Sequence, residues 1–525
     1  MDRSRGTLAA AVLGSSVVFL DSTVVNVALQ RIGEELPSSV LGVLEGQSYV
    51  YNGYLLSLSA LLILAGALAD TFGRRRLFAI GLIGFGLAST LCGLAPSLET
   101  LIAFRVVQGA CGALLVPGSL ALITATLEGP ALGRAFGVWA GASGAATVLG
   151  PFIGGVLVQS LSWRAAFLMN IPLILVALWL THRHVTESRD EQAGRAFDWG
   201  GSALVAMAVG GLSFGAIYGQ QHQWEGGVGQ GALAVGVVAS LAFVVHMARG
   251  SQPLVPLGLF RSRNFAVTNL STFLVYGALY VTLYVLSIFS QGTLGYSAVA
   301  AGLIAIPGSF LLAVLSPTMG GLGTRFGPRR FMAAGPAIMA LGLLWLLRMP
   351  PDSGAWALDP AYPATFIPPI GFLVDLLPAM LAFGLGLGVM VAPLTTALMT
   401  SVPPSQAGIG SAINNAVSRV GPQLVGALVF VAVTAVFYQG VGARVPGLDP
   451  GSPEIRREVA PLNRPGPTVT PEVARAARDA SSDAFRLAMA IAAGLLLAGA
   501  AVNAVGIQAR RVDLPEDAAS QPEPG

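Results

Sequence analysis

The stretch GALADTFGRRR, Gly66 to Arg76, returns as GGLGTRFGPRR, Gly320 to Arg330, in a chain of 525 residues. Each copy ends an apolar run, turns on a glycine and opens the next run with arginines. A second repeat follows in each half. GVWAGASGAATVLGPFIGG from Gly137 aligns without gaps on the run from Gly408, so that Gly137, Gly150, Pro151 and Gly155 answer Gly408, Gly421, Pro422 and Gly426. PGSLALIT from Pro117 also echoes PLTTALMT from Pro393. Repeats in the same order imply a unit duplicated in parallel orientation. That is a transporter architecture, with the site near the membrane midplane where the repeats meet.

Composition supplies the solvent. Hydrophobic residues make up 54% and charged residues 10%, against roughly 25% charge in soluble domains, and mean hydropathy is +0.71. A span needs about 20 apolar residues. Fourteen runs qualify: 7–29, 47–68, 77–95, 99–126, 135–159, 165–181, 199–219, 230–248, 265–289, 298–320, 331–347, 376–400, 408–437 and 484–507. The N-terminal run carries Asp21 and no small-residue cleavage site, so it reads as a retained first span. Spans two, four and five answer spans ten, twelve and thirteen. The expected plan is a six-helix bundle (1–181), two inserted helices (199–248), a second six-helix bundle (265–507) and a tail (508–525).

Orientation follows from arginine, since all 29 basic residues are Arg. Short loops on one side collect Arg74, Arg75, Arg76, Arg134, Arg183, Arg261, Arg263, Arg325, Arg329 and Arg330, while those on the other hold only Arg31, Arg164 and Arg348. The positive-inside rule puts both termini in the cytoplasm. Segment 438–483 is then an external loop, irregular through its prolines and closed by EVARAARDASSDAF, an amphipathic helix expected to lie near the outer surface. Trp163, Trp199 and Trp224 read as interface anchors.

Other classes fall away. A formal charge of +3, scattered along the chain, gives no nucleic-acid footprint. Cys92 and Cys111 lie in apolar runs and make no disulfide framework. No phosphate loop, nucleophile elbow or zinc spacing is present, so neither an enzyme nor a metal or other cofactor is expected. The lipid bilayer, protons and a small amphiphilic substrate remain as partners.

At this point the motifs reach a family. GALADTFGRRR resembles the loop signature of the major facilitator superfamily, LIAFRVVQGACGA (Leu101 to Ala113) its span-four motif, and GASGAATVLGPFIGG (Gly141 to Gly155) its antiporter motif in span five. FLDSTVVNVAL (Phe19 to Leu29) and SWRAAFLMNIP (Ser162 to Pro172) are similar to signatures of its fourteen-span drug:proton antiporters, the EmrB/QacA type. The resemblance implies an all-α fold of two pseudo-symmetric bundles plus two central helices. It also implies proton-coupled multidrug efflux from a bacterial plasma membrane, by a monomer. The chain departs from the pattern at Ser48, where the family usually has Trp, and at Thr324, which replaces the acid of the first copy.

Several residues carry candidate roles. A carboxylate at the bilayer centre costs about 2.5–3.5 kcal/mol on insertion scales, which singles out Asp21. It lies roughly 21 Å along its helix, and Arg105 roughly 9 Å in from the other side of the membrane, so the depths nearly coincide and the pair is expected within reach. An apolar setting disfavours the charged carboxylate and a guanidinium favours it. Moving Arg105 would therefore switch proton affinity; a static ion pair holding two helices is the alternative. For a gate, the resemblance implies Gly66, Asp70, Gly73, Arg74 and Arg75, with Asp70 at a neighbouring helix terminus and the arginines reaching an acid such as Glu128. Gly141, Gly144, Gly150, Pro151, Gly154 and Gly155 bare one side of span five, as a sliding hinge or as static close packing. Asn26, Gln108, Asn414, Asn415 and Arg419 are candidate substrate-cavity residues. Arg419 has no acid in its own half to pair with and serves either structure or substrate. Absence of acids in span thirteen points to neutral, monocationic or amphiphilic substrates.

Overall fold

The computed structural model describes residues 2–37, 43–189, 197–221, 226–250, 253–350, 353–358, 362–450, 452, 455, 458–466 and 468–508. Trp224 and tail residues 509–525 lie outside them, as do the side chains of Ser48 and Pro151. Among the described residues every regular element is helical.

The long helices run in chain order. They are α1 (Arg3–Glu35), α2 (Val43–Phe72), α3 (Arg74–Gly93), α4 (Leu98–Thr124), α5 (Gly129–Ser160), α6 (Asn170–His184), α7 (Trp199–Gln221), α8 (Val228–Arg249), α9 (Arg263–Gly292), α10 (Ile306–Phe326), α11 (Pro328–Leu346), α12 (Leu377–Met399), α13 (Ala407–Arg444) and α14 (Pro471–Gly506). Thirteen candidate spans are long and apolar enough to cross a membrane among the described residues. The remaining helix, α11, has 19 residues and opens on Pro328, Arg329 and Arg330, which lowers its apolar content. It is nevertheless packed, burying Met332, Met339 and Leu343 against the neighbouring helices.

Local chemistry sets the boundaries. Ser97 caps α4 in a reciprocal box with Thr100, and Ser262 and Thr470 cap α9 and α14, each relieving a donor that the first helical turn leaves unpaired. The repeated loop repeats its geometry too. Gly73 (φ 109°) and Gly327 (φ 83°) turn α2 into α3 and α10 into α11, and that backbone region is open to glycine at little cost.

Helices α1–α6 pack together, as do α9–α14, and α7 pairs with α8. The halves meet along α2–α13 and α5–α10, while α7 lies against both α2 and α13. The starts of α1 and α9 and the ends of α6 and α14 share the face that carries the Arg74 loop. Thr7 Oγ1 donates to His184 O (3.4 Å), Arg74 N to Ser188 O (2.9 Å) and Arg263 to Val505 O (2.9 Å). Away from that face, Phe152 of α5 is 71% exposed and Phe310 of α10 66%.

Two sequence expectations are corrected here. The 438–483 segment is not a loop followed by a surface-lying helix. α13 continues to Arg444, and EVARAARDASSDAF forms the first part of α14, unbroken into the span. The segment between the two helices shrinks to 445–470, and within it Ile455 and Glu458 are helical. Alanine-rich helix formers explain the continuity, and the helix has a buried face there through Val473, Ala476, Ala477 and Ala480. Asp483 joins Arg444 (2.6 Å) and Arg486 (3.2 Å). With 38 and 36 residues, α13 and α14 reach more than 50 Å at about 1.5 Å per residue, well beyond a core of about 30 Å. Trp163, expected at a lipid interface, is wholly buried, and its indole donates to Glu35 Oε2 at 2.9 Å; Trp199 is 65% exposed.

Candidate functional site

Asp21 is completely buried and four helices supply its surroundings. From α4, Arg105 Nη1 donates to its Oδ2 at 2.5 Å, and Gln108 Nε2 to its Oδ1 at 3.0 Å. The two residues stand three apart, on one helix face. From α6, Asn170 Nδ2 donates to the same Oδ1 at 2.8 Å. From α3, Ser89 Oγ accepts from both amides (3.2 and 3.0 Å) and donates to Phe167 O (2.9 Å).

Arg105 is held on its other sides by α2. Its Nε donates to Val50 O at 3.2 Å, and its guanidinium lies 4.0 Å from the Tyr54 ring centre. The Tyr54 hydroxyl is committed to Val18 O at 3.1 Å, so the ring presents its face to the cation. Gln108 Oε1 accepts from Arg105 Nη1 (2.7 Å) and from the Cys92 thiol (3.6 Å). Two buried atoms of this cluster have no hydrogen-bond partner: Arg105 Nη2 and Asn170 Oδ1. Removing one member of such a buried pair strands the other charge, at about 3–5 kcal/mol. Sequence reading brought Asp21 and Arg105 together but did not single out Ser89 or Asn170. The signal available was weak: a lone Asn at the start of an apolar run.

The second cluster ties the halves together. Asp70, at the end of α2, accepts from Gly408 N (3.1 Å) and Ile409 N (2.8 Å), the first turn of α13. Arg74 Nε donates to Asp70 Oδ1 (2.9 Å), and Nη2 to Pro404 O (2.5 Å) and Ser405 O (2.9 Å). Both side chains are almost fully buried. Gly66 allows this approach, since a Cβ there would lie 2.5 Å from Ala412 Cβ and 2.6 Å from Gly408 O. Glu128 is not the acid that meets the arginines: it occupies the N-cap of α5 and, among the described residues, makes no ion pair with them. Glu187, which follows α6, takes that place. It accepts from Arg75 N (3.0 Å) and Arg76 N (3.1 Å), where the positive end of a helix favours a carboxylate, and Arg75 Nη2 donates to His182 O (3.2 Å).

Among the described residues, the second copy of the loop has no such lock. Thr324 turns its hydroxyl back onto Gly321 O at 2.7 Å, and the α5–α10 seam closes on bare backbone. A Cβ on Gly137 would lie 2.5 Å from Pro317 Cα, and one on Gly141 3.1 Å from Ala313 O. Gly133, absent from the sequence expectation, packs in the same way on Gly320 O (2.7 Å). The expected hinge glycines therefore divide between partners. Gly141 and Gly144 face α10; Gly154 packs on α1 beside Gly150, where a Cβ would lie 2.9 Å from Val24 O; a Cβ on Gly155 would meet nothing within 4 Å.

The expected cavity residues divide as well. Asn26 is exposed. Arg419 is half-buried, its guanidinium 6.0 Å from the Phe19 ring, and Asn415 bonds back to Ser411 O (2.9 Å). Gln108 belongs to the Asp21 cluster, and Asn414 ties α13 to α9 through Asn269 Oδ1 (3.2 Å) and Thr272 Oγ1 (2.8 Å). Buried amides need such partners, which takes both out of an open cavity. A nearby apolar cavity of about 200 Å³ is lined by Ile63, Val209, Phe273, Ile413, Val417 and Gly421.

Duplicated helical bundles around a buried acid–arginine pair define a membrane transporter fold. The chain belongs to the Major Facilitator Superfamily, which it matches over residues 11–426. It is 32% identical to the tetracenomycin C resistance and export protein of Streptomyces glaucescens, over 80% of this chain and 74% of that one. It is 30% identical to the multidrug efflux pump LfrA of Mycolicibacterium smegmatis, over 97% of each. The fold is that of the human organic anion transporter MFSD10 (TM-score 0.59, 14% identity, 95% of this chain and 99% of that one). It is also that of the proton:xylose symporter XylE (TM-score 0.59, 15% identity, 94% of each). The relatives are transporters, and the chain is a multi-pass membrane protein with bacterial relatives.

Proposed function

We propose that this chain exports small amphiphilic compounds across the bacterial plasma membrane in exchange for protons, as a monomer with both termini in the cytoplasm. The observation that carries the reading is the sealed Asp21–Arg105 contact at 2.5 Å, a charge pair inside the spans where a static role alone would be costly. Support for the substrate class comes from relatives named for multidrug efflux and for antibiotic export. The absence of acids from α13 (Ala407–Arg444) disfavours dications. Arginine clustering on the Asp70–Arg74 face supports the orientation.

With that face inside, the halves are joined at the cytoplasm by Asp70, Arg74 and α13. A proton arriving from outside neutralises Asp21 and releases Arg105. α1 rests on α5 through Gly150 and Gly154, and α5 rests on α10 through Gly137 and Gly141, so the change at Asp21 has a packed route to the seam between halves. Loss of the proton inside restores the pair, coupled to outward passage of substrate. Each charge crossing 100 mV contributes about 2.3 kcal/mol.

A second reading, export of a self-made secondary metabolite, is favoured by relatives named for tetracenomycin C, methylenomycin A and puromycin. A panel of dyes and drugs in everted vesicles separates the two. The coupling role is tested alongside: Asp21→Asn should abolish proton-driven accumulation, and accumulation against a gradient by that variant would overturn it.

A further inference from the structure

Among the described residues that bond Asp21, Asn170 is the one with an acceptor to spare. Its Nδ2 donates to Asp21 Oδ1 (2.8 Å) and Ser89 Oγ (3.0 Å), while its Oδ1 is buried and without a partner. The other acceptors that the packed helices bring to the carboxylate are committed. Arg105 is bonded to Asp21, Gln108 and Val50 O, and Gln108 Oε1 takes Arg105 and Cys92. The Tyr54 hydroxyl is spent on Val18 O. Each acceptor in reach is therefore engaged, apart from Asn170 Oδ1.

An ionised carboxylate accepts only, whereas a protonated one must also donate. A buried O–H left without an acceptor costs about 1–3 kcal/mol. We propose that Asn170 is the positioning residue that reads the charge of Asp21 by reversing its side-chain amide. With Asp21 ionised, Nδ2 faces the carboxylate, as here. When a proton binds Oδ1 of Asp21, the oxygen not held by Arg105, the amide turns and its own Oδ1 accepts the new O–H. Ser89 can follow, because its hydroxyl is free to swing from Phe167 O onto the same amide oxygen. The orphaned acceptor thus becomes the group that accepts from the neutral acid once Arg105 departs, while Nδ2 turns to the side that Oδ1 leaves. Asn170 also begins α6, so the reversal couples protonation to that helix as well as to α4.

This inference rests on Asp21 being the proton-binding group, and the test separates the two. The full-length protein, carrying asparagine labelled with ¹³C at the side-chain carbonyl, is reconstituted in lipid and titrated by infrared difference spectroscopy. The expected result is a carboxyl band, lost in Asp21→Asn, that appears together with a shifted asparagine carbonyl band lost in Asn170→Leu. Asn170→Ser serves as the second assignment should the leucine variant fail to fold. A carboxyl band that titrates with no accompanying Asn170-dependent band overturns the reversal while leaving the proton site standing. A carboxyl band that survives Asp21→Asn unchanged overturns the proton site itself.

Discussion

Replacing Asp70 by Asn should open the arginine-rich face. The carboxylate accepts from Gly408 N at 3.1 Å and Ile409 N at 2.8 Å across the junction between halves, and from Arg74 Nε within its own half at 2.9 Å. Opening breaks the first two but leaves the third, so only the cross-junction bonds count toward the gate. An Asn side chain offers one carbonyl oxygen and no charge. One of the two bonds is lost, the other falls from charge-assisted to neutral, and the attraction to the start of α13 goes too. Hydrogen bonds to charged groups are worth about 1.5–3 kcal/mol and the helix terminus about 0.3–1 kcal/mol. Because the freed carboxylate would regain water on opening, the net loss is about 2–3 kcal/mol, or roughly 30- to 150-fold in the equilibrium. Spin labels at exposed Arg76 and Thr400 straddle the junction, and their distance distribution reports the equilibrium. The variant should move most molecules to the longer distance at neutral pH. A distribution identical to that of the parent would refute the assignment of Asp70 as the cross-junction lock.

Three further outcomes follow from the same geometry. Gly137→Leu should hold the α5–α10 seam apart and cut transport at least tenfold with expression retained, whereas Gly155→Ala, facing open space, should transport normally and gain about 0.5–1 kcal/mol of stability; equal losses in vesicle flux would argue against a seam. Thr324→Asp places an acid beside the start of α5, near Arg134, and should shorten the distance distribution and slow turnover severalfold by adding a second lock; unchanged kinetics would count against it. Asp198 accepts from Gly201 N (2.7 Å), His246 Nε2 (2.9 Å) and Leu254 N (3.1 Å), joining α7 to the end of α8. Burial alone would raise its carboxyl, but these bonds outweigh it and hold the group below the ordinary carboxylate range. Its contribution is present above that range and lost as pH falls through the depressed folded value. Asp198→Asn should thus lower Tm near pH 7, with the gap to the parent closing as pH falls below the ordinary carboxylate range; a gap that widens with acid would contradict it.

Much of the site was legible because charge inside an apolar run is expensive. Asp21 and Arg105 stand out on that ground alone, and their depths along two helices locate them together. Asn170 and Ser89 carry no charge, and small polar residues are common in membrane helices, so nothing marked them until the carboxylate's neighbours were seen. Glu187 escaped for a different reason: it lies after α6, and only the return of that segment to the first turn of α3 makes it a cap. Glu128, nearer in sequence, looked better placed and faces elsewhere. The misreading of 472–485 came from treating alternating Arg and Ala as a surface pattern, when one face of that helix is small enough to pack against the bundle. The glycines of α5 could be recognised as bare, but which neighbour each one serves depends on how the helix crosses α1 and α10.

The two seams of the arginine-rich face are not equivalent. α2–α13 is bolted by Asp70 and Arg74 and further covered by α7, whereas α5–α10 is held by close packing at its glycines, with Leu312, Thr324 and Arg134 side chains against them. A molecule built this way would not part like a pair of symmetric jaws. It would part first along the flank where Gly133 and Gly137 lie, and along the covered edge only once the Asp70 bonds break.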